Sequence, residues 1–136
     1  IYFTINETNI ANQLKQPWIK ISTDAGGTDP AKAAGSTHPR TYGTYPRVLG
    51  YYSRELKVIP LEDAVFKMTA AVATRLSLHD RGGLRPGMAA DLVVFDPAKV
   101  RDRATFDQPH QLATGIEQVV VNGVVVVKQG QHTGAK

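Results

Sequence analysis

The stretch Trp18-Ile19-Lys20-Ile21-Ser22-Thr23-Asp24-Ala25-Gly26-Gly27 decides how this chain is read. Residues 18–23 combine an aromatic start with β-branched positions directly after Pro17, which is the pattern of a strand. The strand ends on the Asp24 carboxylate, and Gly26 and Gly27 then release the backbone. His38-Pro39-Arg40-Thr41-Tyr42-Gly43 follows, a cationic segment held between a proline and a glycine. A carboxylate at the C-terminal end of a strand, followed by a fixed arginine, is how barrel enzymes place a base and an anion clamp.

Upstream, Asn6-Glu7-Thr8-Asn9 offers helix N-caps, and Ile10 and Leu14 share a helical face with Ala11 beside them. A short helix over Asn9–Lys15 is expected, stopped by Gln16-Pro17. Ile1-Tyr2-Phe3 reads as the end of an earlier strand. Strand, helix, strand is one α/β unit, and such units favour parallel sheets.

Downstream, Asp24 to Gly50 reads as a long loop punctuated by glycine and proline, with one helical turn at Ala31–Ala34. Tyr42, Tyr45, Tyr51 and Tyr52 argue for packing near its end. Pro60 then opens a second helix, Leu61–Leu76, with Glu62 and Asp63 at its positive end. Its apolar period runs through Leu61, Val65, Met68, Ala71, Val72 and Leu76. Turns at Asp80–Gly83 and Leu84–Gly87 separate it from a strand at Asp91–Asp96. Ile116–Val121 and Val124–Lys128 form a hairpin, because Asn122-Gly123 suits a type I′ turn. The chain is thus α/β up to about residue 80 and β beyond.

With 136 residues, 42% of them hydrophobic and 21% charged, the chain has the composition of one globular domain or part of a larger protein. Ile1 in place of an initiator methionine favours the second reading. The longest apolar run, Val119–Val127, is broken by Asn122-Gly123 and falls short of the roughly 20 residues of a membrane span. No association with a membrane is expected. The net charge is +4, yet the basic residues are scattered and do not interleave with aromatics. Nucleic acid is therefore not an expected partner. There is no cysteine, which excludes disulfides and thiolate metal sites and is compatible with a cytoplasmic location.

Gly83-Leu-Arg-Pro-Gly87-Met-Ala-Ala-Asp91-Leu-Val-Val-Phe95-Asp96, followed by Val119-Val-Val-Asn122-Gly123-Val-Val-Val, resembles the C-terminal signature of the amidohydrolase superfamily. Thr23-Asp24-Ala25, His38-Pro39-Arg40 through Val48-Leu49-Gly50, and Tyr52-Ser53-Arg54 are similar to the D-aminoacylase group, the N-acyl-D-amino-acid deacylases. The resemblance covers nearly the whole chain. It implies the last strand-helix units of a metal-dependent (β/α)8 barrel over residues 1–80. Residues 81–136 would then be the C-terminal strands of a small β-sandwich. It further implies a zinc-dependent hydrolase that converts an N-acyl-D-amino acid into a carboxylate and a free D-amino acid. The superfamily's His-x-His and later barrel histidines are absent. The implied partner is an N-terminal remainder of the same enzyme carrying the metal ligands, and this chain alone would be inactive. The Asp24–His38 stretch is longer and richer in glycine and alanine than the group's pattern.

Amide hydrolysis needs an activated water, charge stabilisation at the carbonyl oxygen and a proton for the leaving amine. Zinc can supply the first two. Asp24 matches the aspartate that ends the eighth barrel strand, and the resemblance makes it the proton shuttle and a candidate metal ligand. Read from the residues alone, it could equally cap a strand end by accepting from loop amides. Arg40 would clamp the substrate α-carboxylate through two parallel hydrogen bonds; the alternative is a solvated loop arginine. His38 would orient the loop or touch substrate, and Tyr42 would line the pocket or pack. Arg47 and Arg54 read as structural, paired with acidic groups or backbone carbonyls. His79, His110 and His132 read as structural or solvated, and the valines at 119–127 as sandwich core. Two other classes remain: a dihydroorotase- or hydantoinase-like ring hydrolase, and a non-catalytic β-rich interaction module. The segment His38 to Gly50 speaks against the first, and Asp24 at a strand end against the second.

Overall fold

The computed structural model describes residues 5–27, 29, 35 and 37–135. Helices come first: α1 (Glu7–Leu14), α2 (Arg40–Arg47), a π-helical segment (Val48–Glu55), α3 (Leu61–Met68) and α4 (Ala70–Arg75). A sheet follows, from β1 (Leu92–Phe95), β2 (Ile116–Val121), β3 (Val124–Lys128) and β4 (Gln131–His132). The expected strand end at Ile1–Phe3 and helical turn at Ala31–Ala34 lie outside the described residues.

Helix α1 starts where its cap dictates, with the Asn6 side chain accepting from the Asn9 N–H at 2.9 Å. The stretch after it departs from expectation. Residues 18–23 join no ladder, and Pro17 and Trp18 lie in a turn. A strand is defined by its neighbours, and none of the described strands lies alongside. A hydrogen bond from the Ile21 N–H to the Lys67 carbonyl, at 3.2 Å, fixes this stretch instead.

The expected loop up to Gly50 is also corrected. Residues 40–55 form one continuous helical rod, α2 running straight into the π-helical segment. Its glycines are contacts, not punctuation. A Cβ on Gly43 would stand 3.3 Å from the Asp102 Cβ, and one on Gly50 would stand 2.5 Å from the Val100 carbonyl oxygen. Pro46 cannot donate to the Tyr42 carbonyl, and the wider π turns begin just after it. Val48, Leu49 and Tyr52 of this rod are buried with Leu14, Ile21 and Ile59, and Val100 from beyond β1 is fully enclosed among them.

The second predicted helix is two. Thr69, at φ −127° and ψ −94°, breaks it, and its hydroxyl donates back to the Val65 carbonyl at 2.7 Å. The most buried face carries Ala64, Lys67 and Ala71, whereas Leu76 is exposed. The helical period is as expected, but the face is rotated, because Lys67 is drawn inward.

The sheet is wholly antiparallel in the order β1-β2-β3-β4. Val121 pairs with Val124 across Asn122 (φ 49°) and Gly123 (φ 83°), as the type I′ turn requires. The Asp91 carboxylate accepts from the Asn122 N–H at 2.7 Å and pairs with Arg81, which also donates to the Asn122 side-chain oxygen at 2.8 Å. The valines at 119–127 were expected to form a core, but none is buried and Val121, Val124 and Val125 are exposed. Among the described residues no second sheet covers either face. No helix among them is long and apolar enough to cross a membrane.

Candidate active site

Asp24 sits at a bend rather than at the end of a paired strand. Its φ of 49° is left-handed, a conformation aspartate tolerates better than most residues. The Thr23 hydroxyl brackets the bend, accepting from the Ala25 N–H at 3.3 Å. The carboxylate therefore projects outward, 86% exposed, and meets Arg40 Nη1 at 3.1 Å. The two residues given separate roles by the sequence are thus in direct contact. Arg40 is itself 45% exposed, so the pair is wet and contributes only about 0–1 kcal/mol.

Arg40 opens α2, where its guanidinium stands beside the loop and its backbone N–H donates to His38 Nδ1 at 3.1 Å. His38 thus holds the turn that launches Arg40, and its ring meets the edge of Phe106 at 5.0 Å between centroids. Two residues along, Tyr42 packs edge-on against His110, with ring centroids 5.8 Å apart. His110 also bonds the Gly35 carbonyl through Nε2 at 3.0 Å. Asp24 and Arg40 touch, and His38 and Tyr42 flank Arg40. Phe106 and His110 complete the surround without a sequence signal of their own.

Arg47 and Arg54 are structural, as their spacing suggested. Arg47 pairs with Asp102 at 3.3 Å and Glu7 at 3.5 Å and lies 4.5 Å from the centre of the Tyr51 ring. Arg54 donates to the carbonyls of Val100 at 2.7 Å and Pro97 at 3.0 Å. Tyr52 donates to Glu7 at 2.7 Å, and burial, helped by that bond, pushes its phenol up to about 12.

No group of three or more His, Cys, Asp or Glu capable of holding a metal ion exists among the described residues. Zinc takes about four ligands. Asp24 offers one exposed carboxylate, so these residues do not make a zinc site by themselves.

The profile of the Amidohydrolase family matches residues 8–127. The chain belongs to the amidohydrolase family. Within it, the chain is 45% identical to the D-aminoacylase of Alcaligenes xylosoxydans xylosoxydans, over 98% of this chain and 28% of that protein. A crystal structure of D-aminoacylase, described as defining a novel subset of amidohydrolases, superposes with a TM-score of 0.89. It is 44% identical over 98% of this chain and 27% of that one. The N-acyl-D-glutamate deacylase of Bordetella bronchiseptica, solved with zinc and a phosphonate mimic of the tetrahedral intermediate, gives 0.84 at 40% identity. That match covers 94% of this chain and 26% of the other. The chain thus spans little more than a quarter of the length of its relatives, and the resemblance to the D-aminoacylase group holds along nearly all of it.

Proposed function

We propose that the protein carrying this chain is a zinc-dependent N-acyl-D-amino-acid deacylase. Residues 1–80 would be the end of its (β/α)8 barrel, and residues 81–136 the end of its β-sandwich. The observation that carries the reading is the Asp24–Arg40 pair at 3.1 Å, in a chain aligned along its length with D-amino-acid deacylases. The main zinc ligands would come from the N-terminal remainder of the protein, with Asp24 as one further candidate, since no group of three or more His, Cys, Asp or Glu among the described residues could hold the ion.

Hydrolysis joins a water oxygen to the amide carbon and breaks the bond to nitrogen. Asp24 takes the proton from that water and returns it to the leaving nitrogen, so the carboxylate is unchanged after one turnover. The substrate α-carboxylate competes with Asp24 for the Arg40 guanidinium. Seating it there orients the substrate and frees Asp24 for proton transfer. His38 holds the Arg40 turn through its Nδ1, and Tyr42, two residues further on, lines the approach.

The test is a chiral assay. Full-length protein loaded with zinc is offered N-acetyl-D- and N-acetyl-L-amino acids and a cyclic amide such as dihydrouracil. Release of free D-amino acid, with little from the L-form, is expected. Hydrolysis of the cyclic amide alone would favour a ring hydrolase instead, and no hydrolysis of any substrate would favour a binding module.

A further inference from the structure

Residues 101–110 form an arm built to be stiff. Its base is a two-way bridge between Arg101 and Thr114, at 3.2 and 3.0 Å. Asp102 is tied to Arg47 at 3.3 Å, and Ala104 is buried beside Gly43. The turn at 105–108 closes on itself, the Gln108 N–H donating to the Thr105 hydroxyl at 3.0 Å and the Thr105 N–H to the Gln108 carbonyl at 3.1 Å. Pro109 is buried, and His110 follows it.

The tip of the arm reaches both sides of Arg40. A carbonyl can only accept, so His110 Nε2 carries the proton donated to Gly35, before Arg40 in the chain. In the neutral ring Nδ1 then accepts from the Tyr42 hydroxyl, 3.5 Å away and two residues after Arg40 begins the helix. Phe106, 74% exposed, packs T-shaped against His38, whose Nδ1 accepts the Arg40 N–H. An aromatic that exposed gains little from burial, so its position is set by the arm rather than by the core.

We propose that His110 is a positioning residue for the α-carboxylate clamp, holding the Gly35 loop and the start of α2 together so that the Arg40 guanidinium faces the substrate. The proposal rests on the deacylase reading for its substrate but not for its geometry. His110→Phe keeps a ring against Tyr42 and removes the donor to Gly35. His110→Gln can restore a donor at the same reach.

The experiment uses the full-length protein and two readouts. In His110→Phe, kcat/KM for N-acetyl-D-amino acids falls between about tenfold and about a hundredfold, the cost of a misplaced binding group. The matching α-carboxamide substrates change less than about twofold, since they do not use the clamp. His110→Gln recovers most of the loss, and in an Arg40→Ala background His110→Phe has no further effect. Independently of activity, hydrogen exchange over residues 37–45 speeds up in His110→Phe and returns toward normal in His110→Gln. Equal losses on both substrates, a Gln variant as poor as Phe, or unchanged exchange would overturn the proposal. If the wild-type protein hydrolyses no N-acyl-D-amino acid, the functional reading fails, and the exchange measurement still decides whether His110 fixes the Arg40 turn.

Discussion

Lys67 offers the sharpest test of how the fold holds Asp24. It is 4% exposed on α3, and among the described residues no carboxylate pairs with it. Its ammonium donates to the Gln16 carbonyl and, at 3.4 Å, to the Ile19 carbonyl, while its own carbonyl accepts from Ile21. One lysine thus grips both ends of residues 16–21, the approach to Asp24. Lys67→Met keeps the buried stem and removes the charge. A hydrogen bond from a charged group contributes about 1.5–3 kcal/mol, and the one at 3.4 Å much less. Against that, the variant no longer desolvates an ammonium, and two half-buried carbonyls regain water. The net cost is about 1–2 kcal/mol, a factor of about 5 to 30 in a local opening equilibrium.

Because the loss is local, the assay must be local. Hydrogen exchange followed by mass spectrometry on the full-length protein reads peptides over residues 16–24 directly. Lys67→Met is expected to speed exchange there about 5- to 30-fold and to leave the β2–β3 hairpin unchanged. Unchanged exchange at Ile21, or a uniform rise across the chain, would refute the idea that Lys67 is the local clamp. The consequence for the site follows from sequence distance, since Ile21 is three residues before Asp24. The variant should lose activity while retaining bound zinc.

Three further outcomes are expected. Asp24→Asn lowers kcat by about 100- to 10,000-fold, with zinc content and melting temperature nearly unchanged, because an amide cannot carry the proton. Near-wild-type turnover would remove Asp24 from the mechanism. Gly50→Ala lowers stability by about 1–3 kcal/mol, since its methyl would meet the Val100 carbonyl at 2.5 Å; Gly26→Ala, with open space around it, serves as the neutral control in a thermal melt. The Asn122 N–H and then Arg81 hold Asp91 below its ordinary value of 3.8. A depressed carboxylate stabilises above its unfolded pKa and loses that contribution as pH falls through the folded value. Exchange protection at Asn122 should therefore drop under acid only below about pH 4, and Asp91→Asn should abolish that step.

Local chemistry made much of the fold legible. The Asn122-Gly123 turn and the strand before Pro97 depend on neighbours in sequence and stand where they were expected, while α1 starts two residues before the expected Asn9, capped by Asn6, the first of the candidate caps. What misled was the dual meaning of glycine and proline. Gly43 and Gly50 were read as breaks, yet both lie in a helical rod where distant backbone comes too close for a side chain. Nothing in residues 40–55 alone reveals Asp102 or Val100 pressing on them. The strand at 18–23 misled for the complementary reason: its composition was right, but pairing is a property of neighbours.

The candidate site divides along the same line. Asp24 and Arg40 were singled out because each sits in a short motif whose chemistry is carried by the residue itself, and the structure puts the two in contact. His110 and Lys67 were not, because what they do is set by the partner they reach. An isolated histidine after proline, or a lysine on a helix, has no pattern until the fold brings a carbonyl to it. Yet these two address the residues around the pair from opposite sides: Lys67 fixes the chain leading into Asp24, and His110 fixes the loop and helix on either side of Arg40. The pair itself is solvent-exposed and weak. A weak pair keeps a defined geometry only if each half is anchored through its own backbone. In the proposed function the Asp24–Arg40 contact would then open for the substrate carboxylate without either residue losing its place.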